Sequence, residues 1–343
     1  MNLKIKKIAD FPTSTYNSTR YDPLTIYVAG SMWNRKEIIK DGSGIYSAQG
    51  VLHSIKDGRI ESATTDSDML YIVEKISADI LFLGAKTEKN AFQLFSISEN
   101  KVLQKRSDLI GGGCYGTMFT EESQELIMNT RKGYLQIVDP SSLTIKKSER
   151  ITEPNIQLWQ LYFDSAKNII YTSDYLGNLY KISKETLKII SQESLMNHYC
   201  HLDNHSNYPS LWGLSGNDQF LFGGDRFGGI TIFDKKSLQI VKSFRMRKDG
   251  DLVYDPKTKM PSQEVESIMS LKSIGNEHFI FGSRWGNVFL CDLDGNIEKI
   301  LNVPMGIQKE NSPFTMEYSS VENMTEILVT FGDGQVYSII NTN

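Results

Sequence analysis

The chain has 343 residues, with 37 basic and 41 acidic side chains and a formal net charge of −4 at pH 7. Its hydrophobic fraction of 40% is ample for a packed core, and the near balance of charge gives no general attraction to nucleic acid or anionic membranes. The start MNLKIKKIAD lacks the apolar run of a signal peptide, and no segment approaches the roughly 18 apolar residues of a membrane span. We therefore expect a soluble, cytoplasmic protein that binds neither nucleic acid nor membrane.

A short alternating strand introduced by a turn residue recurs seven times along the chain. The copies are GVLHSIK from Gly50, NAFQLFS from Asn90, GYLQIVD from Gly133, GNLYKIS from Gly177, GGITIFD from Gly228, GNVFLCD from Gly286 and GQVYSII from Gly334. Six begin with Gly and one with Asn, and both residue types tolerate the positive φ of a chain reversal. A period of roughly 40 to 50 residues with strand patterning is typical of the four-stranded blades of a β-propeller.

The other three strands of each repeat are predicted from the segments that flank this repeated strand. An apolar strand precedes each copy, at 24–30, 79–85, 125–130, 168–173, 219–224, 278–283 and 326–331. After the copy, turns such as DPSSLTI from Asp139 and DKKSLQI from Asp234 reverse the chain, and their Leu is expected to resume a fourth, outer strand. Upstream lies one more apolar segment, such as LWQLYF at 158–163 or LWGLSG at 211–216. The sequence thus predicts an all-β fold, a seven-bladed β-propeller with four-stranded antiparallel blades.

The two ends of the chain complement each other. The last repeat stops after its third strand, whereas LKIKKI from Leu3 is a strand with nothing before it to pair with. We expect residues 1–9 to supply the outer strand of the last blade, because this closes the ring and removes an exposed sheet edge. Residues 1–343 are then a single β-propeller domain.

The repeated strand also carries a family resemblance. GGDRFGGITIFD from Gly223 and GSRWGNVFLCD from Gly282 show the pattern Gly-x-hydrophobic-x-hydrophobic-hydrophobic-Asp, and nearly the whole chain resembles the WD40-repeat propellers. The Trp-Asp pair of that family is replaced here by Val138-Asp139, Phe233-Asp234 and Cys291-Asp292. The Asp-x-x-Ser-Leu turns are similar to those of YVTN and quinoprotein-type propellers. The resemblance implies a non-enzymatic platform for partner proteins.

The extra length of the repeats is confined to two kinds of connection. These are the hairpin between the second and third strands and the link to the next blade, which lie on the same face of a propeller. The insertions are 31–49, 192–209, 243–263 and 302–313. Long connections on a rigid scaffold are disproportionately functional, so this face is the predicted working surface.

The hairpins on this face carry Arg beside aromatic residues. The candidate binding residues are Trp33, Arg35, Arg131, Tyr175, Arg226, Phe227, Arg284 and Trp285. Arg with an aromatic residue is typical of protein interaction hot spots and can hold an anion. An isolated surface Arg can equally be solvated or brace the next blade, which contributes little. As a set, these residues predict a surface for a protein or peptide partner.

A cluster of possible metal ligands lies in one insertion. His198, Cys200, His201 and His205 are suitable ligands for zinc, but their spacing matches no established zinc signature. We therefore expect a polar surface loop and no bound metal. The three cysteines, Cys114, Cys200 and Cys291, are widely spaced, which predicts reduced thiols and no disulfide framework.

Catalytic motifs are missing from the sequence. It contains no Gly-x-Ser-x-Gly elbow, P-loop, His-Glu-x-x-His or dinucleotide fingerprint. We therefore expect a non-catalytic scaffold without a cofactor, which is a monomer on its own or a subunit of a hetero-complex. The alternative is a propeller enzyme, a hydrolase or lyase with or without a metal ion, with a site near the axial pocket. That alternative requires buried titratable groups that converge on one point.

Overall fold

A computed structural model describes residues 2–38, 44–67, 69–85, 91–107, 113–197, 208–246, 252–254, 266–303, 313–321 and 324–342, the side chains of 33–38, 44–48, 252–254, 313–321, 324 and 325 excepted. These residues form strands and turns, apart from two three-residue 3₁₀ helices, Ser165–Lys167 and Leu195–Asn197. No helix in this described part of the chain is long and apolar enough to cross a membrane.

The strands form seven antiparallel sheets, each a blade, and the chain is a seven-bladed β-propeller. Blades 1 to 3 contain β2 (Ser14–Asp22), β3 (Thr25–Ile38), β4 (Gly44–Lys56) and β5 (Arg59–Thr64); β6 (Leu70–Lys75), β7 (Ile80–Ala85), β8 (Phe92–Ser96) and β9 (Lys101–Arg106); and β10 (Cys114–Thr120), β11 (Glu125–Thr130), β12 (Tyr134–Asp139) and β13 (Thr144–Arg150). Blades 4 to 6 contain β14 (Leu158–Asp164), β15 (Ile169–Asp174), β16 (Asn178–Ser183) and β17 (Ile189–Ser194); β18 (Leu211–Gly216), β19 (Phe220–Asp225), β20 (Gly229–Asp234), β21 (Ile240–Met246) and β22 (Leu252–Tyr254); and β23 (Ile268–Ile274), β24 (His278–Ser283), β25 (Asn287–Asp292) and β26 (Ile297–Asn302). Blade 7 contains the N-terminal strand β1 (Leu3–Asp10) together with β27 (Pro313–Val321), β28 (Met324–Phe331) and β29 (Gln335–Asn341).

The N-terminal strand belongs to the last blade. β1 pairs antiparallel with β29, from Leu3 opposite Asn341 to Asp10 opposite Gln335, and the sheet order is β1-β29-β28-β27. Phe11 continues the connection, because its N–H donates to the carbonyl of Gly334 at 2.9 Å. The predicted closure of the last blade is confirmed.

Contacts group the chain into two compact units. Unit 1 comprises Met1–Leu126, Val138–Ile145 and Phe314–Asn343, and unit 2 comprises Ile127–Ile137 and Lys146–Pro313. The prediction of a single domain over residues 1–343 stays a prediction.

Within each unit the core lies between the sheets of adjacent blades. In unit 1, Leu52 of blade 1 packs with Leu70 and Leu81 of blade 2. In unit 2, the rings of Phe222 in blade 5 and Phe279 in blade 6 stack with centroids 5.0 Å apart. The second and third strands are buried on both faces, which explains why they read as nearly continuous apolar runs.

The predicted insertion 31–49 lies in the hairpin of blade 1, as expected, but its described residues continue the two strands and do not form an irregular loop. β3 and β4 pair from Thr25 opposite Lys56 to Ile38 opposite Gly44, with one irregularity between Arg35 and Glu37. Gly50, predicted as the turn residue, lies inside β4 opposite Ser31. The cross-strand pairing satisfies the backbone groups of these described residues.

The outer turns also differ from expectation in one respect. The Leu of the Asp-x-x-Ser-Leu turns does not resume a strand, because Leu143 and Leu238 have φ of 52° and 62° and remain in the turn. The carboxylates of Asp139 and Asp234 hold these turns through hydrogen bonds from Ser141 and Ser237. Both Leu side chains are buried, and their burial offsets the cost of a left-handed conformation.

Blade 5 has a fifth strand that the sequence did not predict. β22 lies within the insertion 243–263 and pairs with β21, Met246 opposite Leu252 and Phe244 opposite Tyr254. β21 is the edge strand of a four-stranded blade, and β22 satisfies part of its exposed hydrogen-bonding edge.

A buried ion pair joins blade 1 to blade 7 within unit 1. The Arg20 guanidinium makes two contacts with the Glu326 carboxylate, Nε to Oε2 at 2.5 Å and Nη2 to Oε1 at 2.7 Å. The side chains are 10% and 2% exposed. The Ser338 hydroxyl donates to the same carboxylate at 2.5 Å. The bidentate geometry ties β2 to β28.

His53 is buried where the N-terminal segment enters blade 1. Its ring stacks on Phe11 with centroids 4.2 Å apart and contacts the hydroxyls of Thr13 and Ser62, each at 2.7 Å. Gly30 leaves room for it, because a Cβ there would lie 2.6 Å from the Ser14 carbonyl and 3.3 Å from His53 Nε2. Burial lowers the pKa of His53 to about 4.

This histidine gives the stability of unit 1 a specific pH dependence. An unfolded His has a pKa near ~6.5, so between that value and about 4 the unfolded chain binds the extra proton and folding is disfavoured. The free energy of unfolding that neutral His53 contributes is fully present above the unfolded pKa. It decreases as the pH falls toward the folded pKa, by roughly 2 kcal/mol between pH 7 and 5. Thermal unfolding of His53→Gln should show a smaller loss over this range than the unchanged chain. Gln is chosen because blade 2 buries Gln93 at the corresponding position of its repeat. The control His278→Gln changes a half-buried histidine, and this variant should keep the pH dependence that His53 causes.

Candidate binding surface

A buried carboxylate shapes the hairpin tip of blade 4. Asp174, which ends β15, accepts hydrogen bonds from the N–H groups of Leu176 and Asn178, both at 2.9 Å. Its other oxygen accepts from Asn178 Nδ2 and the Tyr180 hydroxyl, both at 2.8 Å. Burial raises the pKa of Asp174, whereas these hydrogen bonds lower it and favour the charged form. The turn closes at Gly177, with φ of 86°, and this fixes the backbone of Tyr175.

A buried carboxylate also holds the hairpin tips of blades 5 and 6, but in blade 6 it comes from a different segment of the chain. In blade 5, Asp225 accepts from the N–H groups of Phe227 at 2.7 Å and Gly229 at 2.9 Å. In blade 6 the second strand ends in Ser283, and the carboxylate comes from Glu266, which accepts from the Trp285 N–H at 3.3 Å. Burial raises the pKa of Glu266, with hydrogen bonds opposing the shift. All three hairpin tips are therefore held by a buried acid.

Two serines link these tips to one another. The Ser210 hydroxyl donates to the Tyr175 carbonyl at 2.5 Å, and the Ser210 carbonyl accepts from the Arg226 N–H at 3.3 Å. The Ser267 hydroxyl donates to the Arg226 carbonyl at 2.6 Å, and its carbonyl accepts from the Arg284 N–H at 2.9 Å. The tips of blades 4, 5 and 6 thus form one connected arc. Such prior ordering lowers the entropy cost of binding a partner.

Aromatic side chains meet near this arc. Trp159 of β14 lies against Tyr175 with ring centroids 6.2 Å apart and against Trp212 of β18 at 6.1 Å. Tyr208 lies against Tyr175 at 6.0 Å. These four rings are half-buried, so each keeps some surface exposed. With Arg226 and Phe227 they are called the aromatic cluster below.

Arg226 lies over two aromatic rings of this cluster. Its guanidinium carbon is 6.0 Å from the centroid of Trp212 and 5.3 Å from that of Phe227. Both distances suit a cation–π interaction. Phe227 itself is buried, at 8% exposure, so one of the two rings beside Arg226 is part of the core.

The structure brings three of the predicted residues into this cluster and leaves others outside it. Tyr175, Arg226 and Phe227 are members. Trp285 is 38% exposed at the neighbouring tip, beside half-buried Arg284. Arg131 is exposed at the tip of blade 3. Trp33 and Arg35 lie in β3, but their side chains are outside the described part.

The sequence patterns did not predict a binding role for Trp159, Trp212 or Tyr208. Two of them nevertheless share a recognisable position in their repeats. Both tryptophans are the second residue of the first strand of their blade, in Leu158-Trp159 of β14 and Leu211-Trp212 of β18. Both positions are irregular in the pairing with the second strand. A comparison of these strand starts across repeats would have shown that an aromatic residue recurs there.

Unit 1 has its own aromatic row at the same strand position. The first strands of blades 1, 2 and 3 each carry a tyrosine as their second or third residue, namely Tyr16 of β2, Tyr71 of β6 and Tyr115 of β10. Tyr71 stacks on Tyr16 with centroids 5.1 Å apart and meets Tyr115 edge-on at 5.9 Å. Burial raises the pKa of Tyr71. An aromatic residue therefore recurs at the start of the first strand of a blade, in β2, β6, β10, β14 and β18.

The predicted metal-ligand candidates His198, Cys200, His201 and His205 lie outside the described residues. Within the residues that are described, no group of three or more His, Cys, Asp or Glu side chains is arranged to hold a metal ion. Cys114 and Cys291 are buried free thiols, and burial raises the pKa of both. Neither is activated as a nucleophile, because the thiol form is favoured.

Comparison with known proteins does not assign the chain to a family. No model of a protein family matches its sequence, and no match is found among curated proteins.

Proposed function

We propose that this chain is a non-catalytic interaction scaffold that binds a protein or peptide partner through the aromatic cluster of unit 2. The observation that carries the proposal is the packing of Trp159, Trp212, Tyr175 and Tyr208 into one half-buried surface at the connected hairpin tips. Trp and Tyr dominate the energy of protein interfaces because they bury much apolar area at low entropy cost.

The tips favour a binding role over a merely structural one. The acids at their bases, Asp174, Asp225 and Glu266, are buried and fix the backbone without facing a partner. Exposed Trp285 and the half-buried rings remain at the outer surface of this rigid support. Partly exposed aromatic side chains on a rigid support suit recognition of a partner surface.

A capture experiment with matched variants tests this proposal. Trp212→Ala should weaken binding of a copurifying partner by at least ~2 kcal/mol, the size of a hot-spot loss, and Tyr175→Ala serves if the first variant folds poorly. The controls Ile190→Ala and Val241→Ala remove side chains that are 53% and 54% exposed on outer strands of the same unit. Partners identified by mass spectrometry should be retained by the controls. Loss from the control variants with normal binding by the cluster variants would place the interface elsewhere.

A further inference from the structure

Arg226 lies beside two aromatic rings, and no acid among the described residues is ion-paired with it. Its guanidinium carbon is 6.0 and 5.3 Å from the ring centroids of Trp212 and Phe227. The adjacent Asp225 is buried and accepts hydrogen bonds from its own turn. A guanidinium is a planar fork of N–H donors, and a carboxylate is the acceptor that matches it with two parallel hydrogen bonds.

Trp212 supplies the aromatic surface of the same site. Its ring centroid lies 6.0 Å from the guanidinium carbon of Arg226, and its side chain is half-buried. An acceptor that pairs with Arg226 therefore binds beside an aromatic ring, where partial exclusion of water strengthens a charged hydrogen bond.

The placement of charge at the tips points the same way. Arg226 and Arg284 are half-buried and Arg131 is exposed, whereas Asp174, Asp225 and Glu266 are buried and accept hydrogen bonds within their own turns. Among these residues the charged groups that an approaching ligand meets are therefore the cations, which complement an acidic ligand.

A nucleic acid fits these observations less well. Binding a single strand requires a basic groove along the backbone and free aromatic faces for successive bases. Here the rings of Trp159, Trp212 and Tyr175 already lie on one another at about 6 Å.

We infer that Arg226 and Trp212 form a carboxylate-binding subsite, and that the partner segment is an acidic peptide with an apolar or aromatic side chain next to its Asp or Glu. The carboxylate pairs with the edge of the Arg226 guanidinium, and the apolar neighbour packs on the exposed surface of Trp159 and Tyr175. This inference rests on the proposed function, because it names the chemistry of the partner at the same surface.

Selection from a display library of random short peptides tests the subsite. Peptides retained by the full chain should be enriched in Asp or Glu beside an aromatic or aliphatic residue. Arg226→Gln should weaken a selected peptide by at least about tenfold, and changing the peptide's acid to its amide should cost the same. The two changes together should cost little more than either alone, because they remove one contact. Arg226→Lys should recover only part of the affinity, because Lys keeps the charge but not the planar fork.

The matched control is Arg150→Gln, since Arg150 lies over the Tyr134 ring at 4.8 Å on an outer strand of the same unit. It should bind as the unchanged chain does. If selected peptides lack acidic residues but still lose binding with Trp212→Ala, the carboxylate subsite is wrong and the interaction scaffold stands. If no peptide is retained, or if a single-stranded oligonucleotide competes for the surface with higher affinity, the subsite and the peptide-binding scaffold both fall.

Discussion

Removing residues 2–9 should strongly destabilise the protein. The deletion takes away β1 and exposes the hydrogen-bonding edge of β29, which pairs with it from Gln335 to Asn341. It also uncovers the small core of blades 7 and 1, where Ile8 and Ala9 pack with Val336. At roughly 1 kcal/mol for each backbone hydrogen bond lost, we expect a loss of at least ~3 kcal/mol, and self-association through the bare edge.

Thermal unfolding and light scattering measure both consequences. The matched control is Lys4→Glu with Lys6→Glu, which reverses two exposed charges of β1 and leaves the strand in place. Surface changes of this kind are usually within ~0.5 kcal/mol. A truncated chain with the melting temperature and particle size of the full chain would contradict the role that we assign to β1.

Glu326→Ala should be the most destabilising single change proposed here. It leaves the Arg20 guanidinium, whose side chain is 10% exposed, without its bidentate partner, and it removes the acceptor of the Ser338 hydroxyl. A buried charge that loses its partner costs about 3–5 kcal/mol. Denaturant unfolding should show this loss as a lower midpoint.

Two further variants separate the buried charge from the lost packing. Arg20→Met combined with Glu326→Leu replaces both ions by apolar groups and should recover most of the stability, because no unpaired charge remains. Glu149→Ala breaks an exposed ion pair with Lys188, whose side chains are 36% and 69% exposed, and should cost under ~1 kcal/mol. Equal effects of Glu326→Ala and Glu149→Ala would show that the Arg20–Glu326 pair does not stabilise the junction of blades 1 and 7.

Much of the fold could be predicted from local patterns. Turn glycines such as Gly177 and Gly334 have positive φ, as the repeat required, and the strands that they introduce follow where the alternation places them. The pairing of β1 with β29 could be predicted because one strand was missing at one end and one was spare at the other. Gly50 shows the limit, since a glycine inside a regular strand has the same sequence signal as a turn glycine.

The binding surface could be predicted only in part. Tyr175, Arg226 and Phe227 are adjacent to turns, so the hairpin pattern located them. Trp159 and Trp212 stand in strands that read as core, and Glu266 lies in a connection with no motif. Their roles depend on contacts between residues far apart in the chain, such as the hydrogen bond from Trp285 to Glu266.

The sequence by itself determined the number of blades and the closure of the last one, because strand alternation and turn glycines are properties of neighbouring residues. Only the tertiary structure decided which side chains meet at the tips. Ser210 and Ser267 link separate hairpins, and the Arg226 guanidinium lies over the ring of a tryptophan from another strand. Such contacts form when blades pack on one another, and packing depends on shape and burial, which no short pattern encodes.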